Sequence, residues 1–165
     1  MSTPLRQLCD WLVTTPLSQV VQGTSWAIPA IQTLHILAIA VAVSSAFMID
    51  LRLIGILAPA RPLASVSARF LPPLWVAVGA LATSGAVLIV AEPNRTLLNR
   101  VFGVKMLLLI LAIAATLVIG RALRRDSEFW DRSTARRAAA ASLAVVSMLL
   151  WSGIVCAGRW IAYLA

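Results

Sequence analysis

Ionisable chemistry is scarce in this chain, which has six carboxylates, one histidine and two cysteines in 165 residues. Cys9 and Cys156 have no CxxC or Cys/His spacing. With a single imidazole available, a structural zinc site with its full tetrahedral ligand set is excluded. No Ser/His/Asp set, phosphate-binding glycine loop or pair of intramembrane carboxylates occurs, so no catalytic constellation is visible. Residues 1–25 lack a continuous apolar core with a small-residue cleavage site, and no secretory signal is expected there. No polar stretch is long enough to build a second core.

Apolar residues are abundant instead. They make up 61% of the chain, with a mean hydropathy of +0.92, against about 45–50% in soluble domains. The net charge of +8 would suggest nucleic acid in a soluble protein. Here the basic residues stand in short loops between apolar runs, as topology signals do, so the expected partner is the lipid bilayer and nucleic acid is excluded. Four runs of about twenty residues, near 27–49, 71–91, 101–120 and 138–158, are each long enough to cross a membrane. Residues 2–24 read as an interfacial segment of two short pieces. Thr3-Pro4 and Thr15-Pro16 pair a capping hydroxyl with a proline at the first helical position. Leu5, Leu8 and Leu12 share one face of the first piece, and Trp11 suits interface depth. The predicted class is all-α: an integral membrane four-helix bundle, up-down-up-down, with an N-terminal interfacial amphipathic helix, in one domain over 1–165.

Nine arginines, among them Arg52, Arg61, Arg69 and Arg121, fall on the side of the first and third loops. Arg6, Arg95, Arg100, Lys105 and Arg159 fall on the other side. The positive-inside rule then predicts a bacterial cytoplasmic membrane protein with both termini periplasmic, and Trp11, Trp26, Trp160 and Tyr163 form an outer aromatic belt. The second span is expected to enter through Pro72-Pro73. For packing, Ala38, Ala42 and Ala46 with Ser45 form a small-residue stripe on the first span, and Gly79, Ala82, Thr83 and Ala86 around Gly85 form one on the second. The third span is bulkier and is expected to face lipid.

His35, eight residues inside the first span, is the leading candidate for chemistry, because an imidazole at membrane depth is costly. Its face continues through Ala38, Ile39 and Ala42. Counting inward from Arg159 reaches Trp151 at the same depth, so Trp151 is expected to pack on His35 or donate its N–H to it. Three readings stand open for His35. It is a core histidine bonded to Gln32, a serine or backbone, an axial ligand of haem b, or a proton relay or other ligand. For haem, Lys105 and Arg159 would neutralise propionates, although snorkelling at helix ends is the commoner explanation of both. No second imidazole exists, so the iron would be five-coordinate or shared between protomers across a two-fold axis. Met106 and Met148 are weaker axial candidates whose depths differ from that of His35 by several ångströms.

Asp50 and Arg52 stand at the inner mouth of the first span and are expected in structural ion pairs, with Arg69 or Arg121 as further partners. Glu92 does the same at the outer face near Arg95, Arg159 or Lys105. Cys9 and Cys156 fall on the outer side, where oxidation would bridge them if their geometry allowed. The loop from Arg121 to Arg137 reads as a solvated connector, with Phe129-Trp130 touching headgroups and its arginines drawing anionic lipid.

The runs P-L-S at 16–18, W-A-I-P at 26–29, H-I-L-A at 35–38, D-L-R-L-I-G at 50–55 and A-G-R-W-I-A-Y at 157–163 resemble those of an uncharacterised bacterial family of small four-helix inner-membrane proteins. That resemblance covers nearly the whole chain and implies a four-helix membrane bundle without an assigned activity. The pattern H-I-L-A…D-L-R-L-I-G is more distantly similar to copper-resistance D-type membrane domains and related b-haem bundles, which carry further histidines that this sequence lacks. Three functions therefore stay open. The first is a b-haem redox module for electron transfer using His35, and the second is a non-catalytic accessory subunit of a homo-oligomer or larger membrane complex. Transport of a small solute or metal ranks third, because only Ser44 and Ser45 lie between His35 and Asp50.

Overall fold

The structure, a computed structural model, describes residues 3–57, 62–125, 133–161 and 163. Among these, every regular element is an α-helix: α1 Pro4–Val13, α2 Pro16–Gly23, α3 Ala27–Ile54, α4 Leu63–Ala91, α5 Pro93–Leu97, α6 Arg100–Arg125 and α7 Thr134–Ile161. Four of them, α3, α4, α6 and α7, are 28, 29, 26 and 28 residues long and apolar enough to cross a membrane. They form an all-α membrane bundle in which α3 pairs with α4, α6 with α7, and α3 with α7, while α4 and α6 meet much more sparingly.

Local sequence explains the ends. Proline stands at the first helical position of α1, α2 and α5, where its missing N–H costs nothing. The Thr15 hydroxyl accepts from the Ser18 N–H at 3.4 Å, capping α2. At the end of α3, Gly55 takes φ +87°. Its N–H donates to the Arg52 carbonyl at 3.1 Å, and the Ile56 N–H donates to the Leu51 carbonyl at 3.0 Å, which closes the helix with a left-handed glycine. Asn99 accepts from the Val101 N–H at 2.9 Å and so opens α6.

The helices run past the hydropathy reading at several ends: α3 continues to Ile54 beyond 49, α6 to Arg125 beyond 120 and α7 to Ile161 beyond 158, and α4 and α7 start early. Pro72 and Pro73 lie inside α4, which begins at Leu63. They do not mark its entry. The carbonyls they leave without helical donors belong to Ala68 and Arg69, both exposed near the end of the bundle, where the lost bonds are tolerated. The chain stop is Pro62 instead, whose carbonyl accepts from the Ser65 N–H at 3.0 Å and the Ser65 hydroxyl at 2.7 Å. Likewise α7 starts at Thr134, before the expected 138, because the Ser133 hydroxyl caps the Arg136 N–H at 3.3 Å and an alanine run follows. Arg61, Asp126, Glu128, Asp131, Arg132 and the Phe129–Trp130 pair lie outside the described residues.

The α3 stripe packs as expected: Ala38, Ala42, Ser45 and Ala46 are all buried. The α4 stripe does not. Gly79, Ala82, Thr83 and Ala86 are exposed on its outer face, with the Thr83 hydroxyl turned back to its own Gly79 and Ala80 carbonyls, each at 3.1 Å. The buried side of α4 carries Leu71, Leu74, Ala77 and Ser84, and of the expected small-residue face Gly85 meets α3, beside His35. Outward-facing Leu34, Ile36, Leu37, Val76, Leu107, Ile110 and Leu149 are all exposed. Such a girdle is untenable in water and ordinary in lipid.

At one end, α1 packs on α5 and α4, and α2 on α4 and α3. The Gln22 side chain donates to the Ala91 carbonyl and to the Ser18 hydroxyl, both at 2.8 Å. One of the orphan carbonyls at the end of α4 is satisfied in this way. Cys9 is the buried contact of α1, leaving Leu5, Leu8 and Trp11 exposed, as an interfacial helix requires. Trp26, Trp160 and Tyr163 are also exposed on the helix ends that meet here.

Candidate functional site: an imidazole and a carboxyl on one face of α3

His35 meets a partner that sequence reasoning left unnamed. Its Nδ1 lies 2.8 Å from the Ser84 hydroxyl of α4, and that hydroxyl donates to the Ala80 carbonyl at 2.5 Å. A hydroxyl has one proton. With that proton on the Ala80 carbonyl, the Ser84 oxygen accepts from an Nδ1–H, and the lone pair of His35 falls on Nε2. Gly85 lies beside the ring: a β-carbon there would stand 3.5 Å from Cε1. Gln32 is exposed and plays no part. A depth count could have found Ser84, which stands seven residues before Ala91, about 10 Å inside the end of α4, much as His35 stands inside α3.

Lys105 of α6 is half-buried and within electrostatic range of the His35 ring. Its ammonium lies 3.8 Å from where a β-carbon on Gly158 of α7 would stand. Arg159 is exposed and donates to the Tyr163 hydroxyl at 2.6 Å, with its guanidinium 4.9 Å from that ring's centre. Histidine, lysine and arginine thus gather at the α1 end of the bundle.

Trp151 does not share the depth of His35. It packs with Ala42 and Ala46, seven and eleven residues further along α3, about 10–16 Å deeper. The count from Arg159 failed because it assumed level helix ends, whereas α3 and α7 are offset along their axes. The contact between Asp50 and Ser147 sets that offset. Trp151 is 1% exposed, and its indole N–H has no partner.

Asp50 is 2% exposed. The Ser147 hydroxyl of α7 is its side-chain hydrogen-bond partner, and its Oδ2 has none. Arg69, one of the expected partners, lies with its guanidinium 5.7 Å from the centre of the Phe70 ring, and Arg121 is exposed. Arg52 is half-buried on the next turn of α3. At the α1 end, Glu92 pairs with Arg95 at 3.3 Å. Cys9 and Cys156 are free thiols, the first buried and the second exposed.

No group of three or more histidine, cysteine or carboxylate side chains able to hold a metal ion occurs among the described residues. A group held through a single imidazole could be met here only by His35, whose Nε2 is the ring nitrogen not engaged by Ser84. A family model described as a family of unknown function, DUF6644, matches residues 10–164, and the chain belongs to that family. No curated protein and no solved structure matches the chain.

Proposed function

We propose that this DUF6644 member is a small multi-pass protein of a bacterial cytoplasmic membrane, with α1 and Tyr163 on the outer side, that holds a b-type haem through His35 near that face. One observation carries the reading. Ser84 spends its proton on the Ala80 carbonyl and holds His35 as the Nδ1–H tautomer, leaving Nε2 as a ligand lone pair. Lys105 and Arg159 supply positive charge at the same end for the propionates. When bound, the haem supplies one-electron chemistry. The chain's own residues orient the imidazole through Ser84, pack Gly85 against its Cε1 edge, and keep water from it with the apolar girdle. With one histidine in the chain, His35 would be the one imidazole that each copy could offer the haem.

The test is a visible absorption spectrum of the full chain purified from haem-replete cells. The expected result is a Soret band that His35→Ala removes. Colourless protein in which His35→Ala folds and melts like wild type would overturn the reading. It would favour a second one, an accessory membrane subunit in which the Ser84 bond merely satisfies a packed histidine.

A further inference from the structure

Asp50 stands on α3 fifteen residues beyond His35, about 22 Å along the helix, and the haem reading makes no use of it. Its carboxyl has a neutral hydroxyl, that of Ser147, as hydrogen-bond partner, and its Oδ2 is buried without one. One turn along α7 from Ser147, the indole of Trp151 is buried in the cluster that also holds Ala46, with its N–H also unpartnered. Long side chains on a helix lean toward its N-terminus, which turns this ring toward Ser147. An orphan acceptor and an orphan donor therefore share one seam between α3 and α7.

A carboxylate among apolar side chains is several kcal/mol too costly to stay uncompensated. Among the described side chains, the charged groups at this end of the packed helices are Arg52 on α3, Arg69 on α4, Arg121 on α6, and Arg136 and Arg137 on α7. Arg69 is turned onto Phe70, Arg121 is exposed, and Arg137 lies ten residues from Ser147, about 15 Å along α7. The α2 helix, also packed on α3, sits at the opposite end.

We propose that the Asp50 carboxyl is a monovalent-cation site in the half of the bundle remote from α1, taking a proton or a sodium ion. A proton settles on the unpartnered Oδ2. A sodium ion would draw on the carboxyl and the Ser147 hydroxyl, both hard oxygen ligands. The Trp151 N–H coordinates neither cation and is suited to donate to a water beside it. No bond is made or broken beyond this exchange of cation.

Infrared difference spectra of the full chain in lipid nanodiscs test this, first across pH in choline chloride and then with sodium replacing choline at fixed pH. The expected result is a protonated-carboxyl carbonyl band that Asp50→Asn removes. Loss of that band only as pH rises identifies the proton as occupant, and its loss on adding sodium identifies sodium. Trp151 fluorescence, isolated by difference from Trp151→Phe, should move with the same midpoint. Spectra identical to those of Asp50→Asn in both series would overturn the proposal. If Asp50→Asn fails to fold, wild type with ¹³C-labelled aspartate gives the same answer: carboxylate bands moved neither by pH nor by sodium overturn it. A haem-free preparation leaves every one of these outcomes readable.

Discussion

His35 and Asp50 occupy one face of α3, each bonded to a serine on a neighbouring helix, yet their surroundings differ. Around His35 the bundle is loose. The ring is half-buried, a glycine stands beside it, and α4 and α6 barely meet. Around Asp50 it is closed, with the carboxyl, Ser147 and Trp151 all nearly inaccessible and a cluster of Ile49, Leu63, Leu71, Ile119 and Leu123 sealing that end. Beside His35 the Ser84 hydroxyl is satisfied and one imidazole lone pair is left over, while the Asn99 Nδ2 at the outermost turn of that end is buried without a partner. The closed end buries two polar atoms without partners. Side-chain size drives the difference: the α3–α7 seam pairs alanines with one large indole, and larger apolar side chains pack around it.

The sharpest way to break this contrast is at Trp151. Trp151→Ala should destabilise the protein by about 3–5 kcal/mol, as expected when a large side chain leaves a cavity in a packed core. Trp151→Phe keeps most of the ring while deleting the unpartnered N–H, so its cost should fall below about 1.5 kcal/mol. Unfolding in nanodiscs measures both. Equal losses for the two would mean that the N–H has a firm partner and that the seam is not closed around an orphan.

A second pair of substitutions sharpens the packing side. Ala42→Leu forces bulk into the α3 seam and should cost about 1–3 kcal/mol. Ala82→Leu points from the outer face of α4 and should stay within about 0.5 kcal/mol. A large loss at Ala82, read by the same unfolding assay, would show that this face is covered by another chain.

Much of this architecture was legible in the sequence. Four spans, two proline-led N-terminal helices, the Ala38–Ala46 stripe and the exposed aromatics at one end all follow from hydropathy, capping chemistry and periodicity. These signals are local, and local physics decides them. The α4 stripe differs from its expected placement because small residues mark a close approach only where a partner is present, and α4 meets α3 at His35 through Ser84 and Gly85. The depth of Trp151 was misread because helix offset is set by long-range contacts such as that between Asp50 and Ser147, which no span length encodes. Ser84 escaped notice for a related reason: a serine in a span is common, and its meaning appears only when α3 and α4 are in register.

The smallest expected effect concerns the loose end. Because the Ser84 proton is committed to its own helix, deleting the hydroxyl leaves the Nδ1–H of His35 without an acceptor, whereas deleting the imidazole leaves Ser84 satisfied. Ser84→Ala and His35→Ala should therefore couple in a double-mutant cycle by about 0.5–1.5 kcal/mol, the net value of one hydrogen bond. In wild type, ¹⁵N chemical shifts of the single histidine should report the Nδ1–H tautomer, and Ser84→Ala should shift the population toward Nε2–H. A coupling indistinguishable from zero, with unchanged ¹⁵N shifts in Ser84→Ala, would remove the support for a free Nε2 lone pair. The α1 end of α3 would then hold its imidazole by packing alone.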